Sequence, residues 1–160
     1  MDARLYPTLP LAEHETPTSF VSRLARLHRS GSARMFCTDL GFTFQSVIDG
    51  EPSKLAYLAR ISGATERTLV VSATQREDKG WRLHGQQLLK APMPPTPVRV
   101  CPACIGEDLK SASLNSVYGR VSWQIVSIRT CATHGMALLE AVQPPRPQMT
   151  HDFAMLIAPE

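Results

Sequence analysis

Apolar positions recur with helical spacing through the first half of the chain, and prolines break the second half into short pieces. Between Thr16 and Arg29, Phe20, Val21, Leu24, Ala25 and Leu27 fall on one helical face, with Thr16 as N-cap and Pro17 at the first helical position. A second short helix is predicted over Ser32–Leu40, stopped by Gly41. Another turn or short helix follows over Phe44–Ile48 before Asp49-Gly50 breaks the chain. Pro52–Ile61 then reads as a helix, Ser62-Gly63-Ala64 as a tight turn, and Thr65–Ser72 as a second capped helix, a helix-turn-helix pattern over about residues 52–72. In such a pair Leu69 and Val70 face the core and Glu66, Arg67 and Thr68 are exposed.

Beyond Thr74 the sequence turns polar, with Trp81, Leu83, Leu88 and Leu89 as its apolar residues. Four prolines between Pro92 and Pro97 make an extended connector. The expected fold is therefore mainly α: a helical domain over residues 1–91, a connector over 92–98, a small zinc-binding module of ribbon or finger type over 99–143, and a C-terminal tail over 144–160. In that tail Phe153, Met155, Leu156 and Ile157 either dock on the body or a partner, or stay disordered.

The module is defined by Cys101-Pro-Ala-Cys104 and, after 26 intervening residues, Cys131-Ala-Thr-His134. A two-residue spacer lets both side chains of a turn reach one ion, and two such pairs supply the four ligands of a tetrahedral Zn²⁺. Redox pairs and disulfides use the same spacing. Four protein ligands fill the coordination sphere and leave no position for an activated water, so Cys101, Cys104, Cys131 and His134 are expected to hold one structural zinc. A nucleobase-deaminase arrangement is excluded, because Val100 precedes Cys101 and the upstream His84-Gly85-Gln86 lacks the required glutamate.

The 43% hydrophobic content suffices for a globular core. No apolar run approaches the roughly 20 residues that cross a bilayer, and the first residues do not form a signal peptide. A cytoplasmic protein is expected, whose reducing surroundings favour metal over disulfides and leave Cys37 as a small core residue. The net charge is only +3, but residues 51–99 carry eight Lys or Arg against four Asp or Glu. If DNA is touched, Lys54, Arg60, Glu66, Arg67, Thr68 and Arg76 are the candidate contacts. Arg23, Arg26 and Arg29 lie off the apolar stripe and read either as a solvated face or as a contact surface. His14, His28, His84 and His151 are isolated from any carboxylate cluster, and no phosphate-cradling Gly-x-x-x-x-Gly-Lys loop is present, so no enzymatic activity is expected.

Arg99-Val-Cys101-Pro-Ala-Cys104-Ile-Gly-Glu107-Asp108, Tyr118-Gly-Arg120-Val-Ser-Trp123-Gln124 and Cys131-Ala-Thr-His134 with Leu138-Leu139 resemble the TniQ family, as do Pro17-Thr-Ser-Phe-Val-Ser-Arg-Leu-Ala and Leu40-Gly41. That family includes the amino-terminal part of the TnsD target-selection proteins. A departure is Thr16-Pro17-Thr18, where many relatives have a glutamate and a serine. The resemblance implies a non-enzymatic adaptor of bacterial transposition, which binds DNA or a targeting complex and recruits transposition proteins. The chemistry of these residues agrees with a scaffold role: Trp123 and Tyr118 are expected to pack beside the module, and Arg120 to pair with Glu107 or Asp108. The alternative is a stand-alone or phage-encoded transcription regulator acting as a symmetric homodimer on a palindrome.

Overall fold

A computed structural model describes residues 4–88, 98–111, 113–141 and 151–157. Among these, eight α-helices, one 3₁₀ turn and five short strands follow one another. The first five helices are α1 (Pro17–Leu27), α2 (Ala33–Asp39), α3 (Phe44–Ile48), α4 (Pro52–Ser62) and α5 (Glu66–Ser72). Thr16, Ser32 and Thr43 each cap the helix they precede by accepting a backbone N–H from Ser19, Met35 and Ser46. Gly63 closes α4 at φ 79°, a left-handed conformation that glycine adopts without a Cβ penalty, and the chain turns there into α5. Phe20, Val21, Leu24, Phe36, Phe44, Leu55, Leu58 and Leu69 form the core of this helical part.

The polar stretch after Thr74 folds as a three-stranded antiparallel meander, an element the apolar pattern did not announce. Its strands are β1 (Gln75–Glu77), β2 (Gly80–Leu83) and β3 (Gln86–Leu88). The β2–β3 turn is His84-Gly85 with both φ positive, 49° and 74°, which matches the strand twist as a type I′ turn does. Trp81 sits opposite Arg76 and Leu88, and the Arg76 guanidinium lies 6.0 Å from the indole centroid. The predicted connector residues 92–97 lie outside the described residues, as do 142–150 and 158–160 of the module end and tail.

Beyond the connector, β4 (Arg99–Val100) pairs antiparallel with β5 (Leu139–Glu140) and closes the base of a second unit. That unit carries α6 (Pro102–Lys110), the 3₁₀ turn at Leu114–Ser116 and α7 (Val121–Gln124). Its core is Cys101, Cys104, Val117, Trp123, Cys131, Leu138 and Phe153. Phe153 belongs to α8 (Phe153–Ile157), so this part of the tail docks on the body.

α1 lies between the two cores, and all nine residues from Pro17 to Ala25 are buried. The reading of Arg23 as a solvated or contact residue is therefore corrected. Its side chain is only 6% exposed, and Nη1 lies 2.6 Å from Oε2 of the fully buried Glu15. Nε of Arg23 donates to the Asn115 carbonyl at 2.7 Å, and Glu15 also accepts from Ser19 Oγ and Ala12 N at 2.9 Å each. Burial raises the Glu15 carboxyl above its ordinary value, and the adjacent guanidinium partly offsets that. A glutamate does stand at the start of α1, one residue before the Thr16-Pro17-Thr18 departure. Arg26 is also engaged, its Nη2 donating to the Ala154 carbonyl at 2.5 Å. Backbone bonds from Thr16 N to Gly119 O (3.0 Å) and from Val121 N to His14 O (2.9 Å) complete the seam.

Candidate metal centre

Cys101 is the residue before α6 and Pro102 its first, so Cys101 and Cys104 both lie at the amino-terminal turn of a nine-residue helix, where unpaired N–H groups favour thiolates. The other pair sits on a tight knuckle. Gly135 N donates to Cys131 O and Cys131 N to Met136 O, both at 2.8 Å, and Thr130 bridges Ala137. Gly135 adopts φ 63° to turn the chain.

This arrangement brings the four ligand atoms within 4.8 Å of one another. Nδ1 of His134 lies 3.6, 3.3 and 3.6 Å from the sulfurs of Cys101, Cys104 and Cys131, and the Cys104 and Cys131 sulfurs are 3.6 Å apart. With bonds of about 2.3 Å to sulfur and about 2.0–2.1 Å to nitrogen, a tetrahedral ion sets ligand–ligand edges of about 3.5–3.8 Å. The donor set thus fits a single tetrahedral metal site. The three cysteines are buried and His134 is half-buried.

A second layer orients these ligands. Nε2 of His134 is 2.9 Å from Oε1 of Glu107 on α6, which directs Nδ1 at the sulfurs. Hydrogen bonds to Glu107 and then to Cys131 raise the imidazole to about 9. Burial, followed by the contact with Cys131, pushes the Cys104 thiol up to about 12. Burial opposes ionisation of Cys131 too, but backbone and imidazole hydrogen bonds from His134 outweigh it and bring that thiol down to about 6. The Arg120 ion pair falls to Asp108 rather than Glu107, at 2.9 and 3.0 Å in a two-pronged contact. The guanidinium also stacks 4.2 Å from the Tyr118 centroid and 4.8 Å from that of Trp123, so it fastens α6 to α7. Arg99 holds the loop before the knuckle by donating to the carbonyls of Ile128 and Ile125, each at 2.6 Å, and of Trp123 at 3.2 Å.

The candidate DNA contacts do not form one patch. Lys54, Arg60 and Glu66 line an open groove of about 1020 Å³, shared with Arg4 and Tyr57, which sequence reasoning had not singled out. Arg67 and Thr68 are exposed on α5, and Thr68 lines a smaller groove with Leu9 and Leu11. Arg76 lies elsewhere, among Asp49, Glu51, Glu77 and Asp78. Cys37 is a buried thiol pushed up to about 12 by burial, which fits a core residue rather than a nucleophile. Among the described residues no helix is long and apolar enough to cross a membrane.

No curated protein and no solved structure matches the chain. A family model does, from residue 7 to residue 138, across both the helical core and the four ligands. The chain belongs to the TniQ family, a family associated with target selection in transposition.

Proposed function

We propose that this protein is a non-enzymatic adaptor of DNA transposition, acting in the bacterial cytoplasm, with one structural Zn²⁺ on Cys101, Cys104, Cys131 and His134. The family match carries this reading. The geometry supports it in two ways. Four protein ligands saturate a tetrahedral zinc, so the ion orders the module and does no chemistry of its own. The α4–Gly63–α5 pair serves as a helix-turn-helix, with Leu69 anchored in the core and Glu66, Arg67 and Thr68 exposed at the start of α5. Arg67 and Lys54 supply phosphate contacts, and protein partners of the transposition system supply the remaining affinity.

The test is fluorescence anisotropy of zinc-loaded protein with random and genomic duplexes across a salt series, alongside Arg67→Glu. The adaptor reading expects weak binding that falls steeply with salt and is reduced by Arg67→Glu. Tight binding to one palindrome by a dimer at physiological salt would replace it with an autonomous regulator. Turnover of any substrate that depends on Cys101 or His134 would overturn the non-enzymatic reading.

A further inference from the structure

Residues 151–157 lie beyond the family-matched span and yet are seated in the seam between the two cores. Three consecutive residues, Asp152, Phe153 and Ala154, each make a contact there. The Asp152 carboxylate, on a residue only 2% exposed, accepts from Ser22 Oγ and from the Ala33 backbone N–H, the latter at 2.7 Å. Phe153 lies 6.4 Å, centroid to centroid, from Trp123 and over Gly119, where an added Cβ would stand 3.1 Å from the phenyl ring. Ala154 donates its N–H to Ser22 Oγ at 2.7 Å and accepts from Arg26 Nη2 at 2.5 Å.

A carboxylate, an aromatic ring and a small residue with both backbone groups bonded make up a peptide-recognition pattern rather than a greasy patch. The receptor is composite, since Ser22 and Arg26 come from α1, Ala33 N from α2, and Gly119 and Trp123 from the metal module. The ligand is five helical residues long, too short to hold a helix without its receptor. The helical core contains no residue of 151–157, and of the second unit's core only Phe153 comes from this segment.

We propose that this seam is a binding site for an Asp-aromatic-small segment, held in cis by residues 151–157 and open in trans to the same segment of a second copy of the chain. Each copy carries both receptor and ligand, so exchange needs no new surface.

The experiment titrates a fluorescent peptide of residues 148–160 into metal-loaded, full-length wild-type and Asp152→Ala protein. The Asp152→Ala chain, with its own segment weakened, is expected to bind the peptide at least tenfold more tightly than wild type. Peptides carrying Asp152→Ala or Phe153→Ala are expected not to bind. No peptide binding by an Asp152→Ala chain with wild-type metal content and circular dichroism would overturn the proposal, as would binding indifferent to Asp152 and Phe153 in the peptide. Should that chain fail to fold, the wild-type protein decides: fluorescent peptide must give an anisotropy rise that unlabelled wild-type peptide, but not Phe153→Ala peptide, competes away, and its absence at millimolar peptide overturns the proposal. The outcome is independent of whether the protein touches DNA.

Discussion

Replacing Arg23 by methionine keeps an apolar stem of similar length and removes only the guanidinium. Its partner Glu15 is fully buried and Arg23 itself 5% exposed, so no solvent replaces the lost charge. Breaking a buried pair from one side costs about 3–5 kcal/mol, because the remaining ion is left uncompensated. For a chain of this size each kcal/mol is worth about 2–4 °C in melting temperature, which predicts a fall of about 6–20 °C. The pH dependence identifies the cause. Burial already raises Glu15 above its ordinary 4.5, and removing the guanidinium raises it further. A carboxyl whose folded value exceeds its unfolded value contributes stability that is fully present below 4.5 and lost as pH rises through the folded value. The Arg23→Met deficit is therefore largest at neutral pH and shrinks in acid. Glu15→Gln strands the buried Arg23 guanidinium instead and should cost a similar amount, about 3–5 kcal/mol, but with little pH dependence, and the double variant should cost less than the two singles added. Thermal melts at saturating metal from pH 4.5 to 8 read all of this. A deficit under about 1 kcal/mol that is flat with pH would refute the reasoning.

Glu107→Gln should weaken metal affinity about 10–100-fold by releasing the His134 imidazole, measured by competition with a chromophoric chelator. In the same assay affinity should rise at least a hundredfold per pH unit near pH 7, since His134 at about 9 and Cys104 at about 12 each lose a proton on loading and Cys101 must also bind as a thiolate; a slope below one decade would contradict the proton count. Gly50→Ala places a Cβ 2.6 Å from the Thr74 carbonyl at φ 66°, whereas Gly41→Ala meets nothing at φ 83°. Urea unfolding should therefore show about 1–2 kcal/mol of conformational strain at Gly41 and a larger loss at Gly50. Cys131→Ala should make residues 98–141 sensitive to protease, and equal resistance would argue against a structural metal.

The elements legible in the sequence are those whose causes are local. Thr16, Ser32 and Thr43 sit next to the helices they cap, Gly63 carries its own turn, and the spacing of the paired cysteines already points to the one cluster they form with His134. What escaped reading depends on partners far along the chain. Arg23 looked like a surface cation because its partners include the carbonyl of Asn115, 92 residues away, and Glu107 meets His134 across 27. The meander was missed because its strands are three or four residues long and mostly polar, and only the alternation of Trp81 and Leu83 before His84-Gly85 hinted at pairing. Docking of Phe153 rests on Gly119 and Trp123, which no periodicity connects to the tail.

These long-range contacts converge on α1, and that bears on the proposed adaptor role. A helix with one apolar face has a solvated back; α1 buries Phe20, Val21 and Leu24 in one core and Ser19, Ser22 and Arg23 against the other unit. Polar residues on its second face are required there, since the backbone groups of Gly119 and Ala154 and the carboxylates of Glu15 and Asp152 need partners once water is excluded. An apolar second face would leave those groups unpaired, at about 1–3 kcal/mol each. The polar seam therefore fixes the registry of the two cores as well as their contact. If α5 meets DNA while the metal module meets protein, a fixed registry presents both surfaces in one geometry, and the second contact forms at an effective concentration that a loose joint would dilute. On this account Arg23→Met, assayed well below its melting temperature so that it stays folded, should weaken the ternary assembly more than it weakens binding to either partner alone.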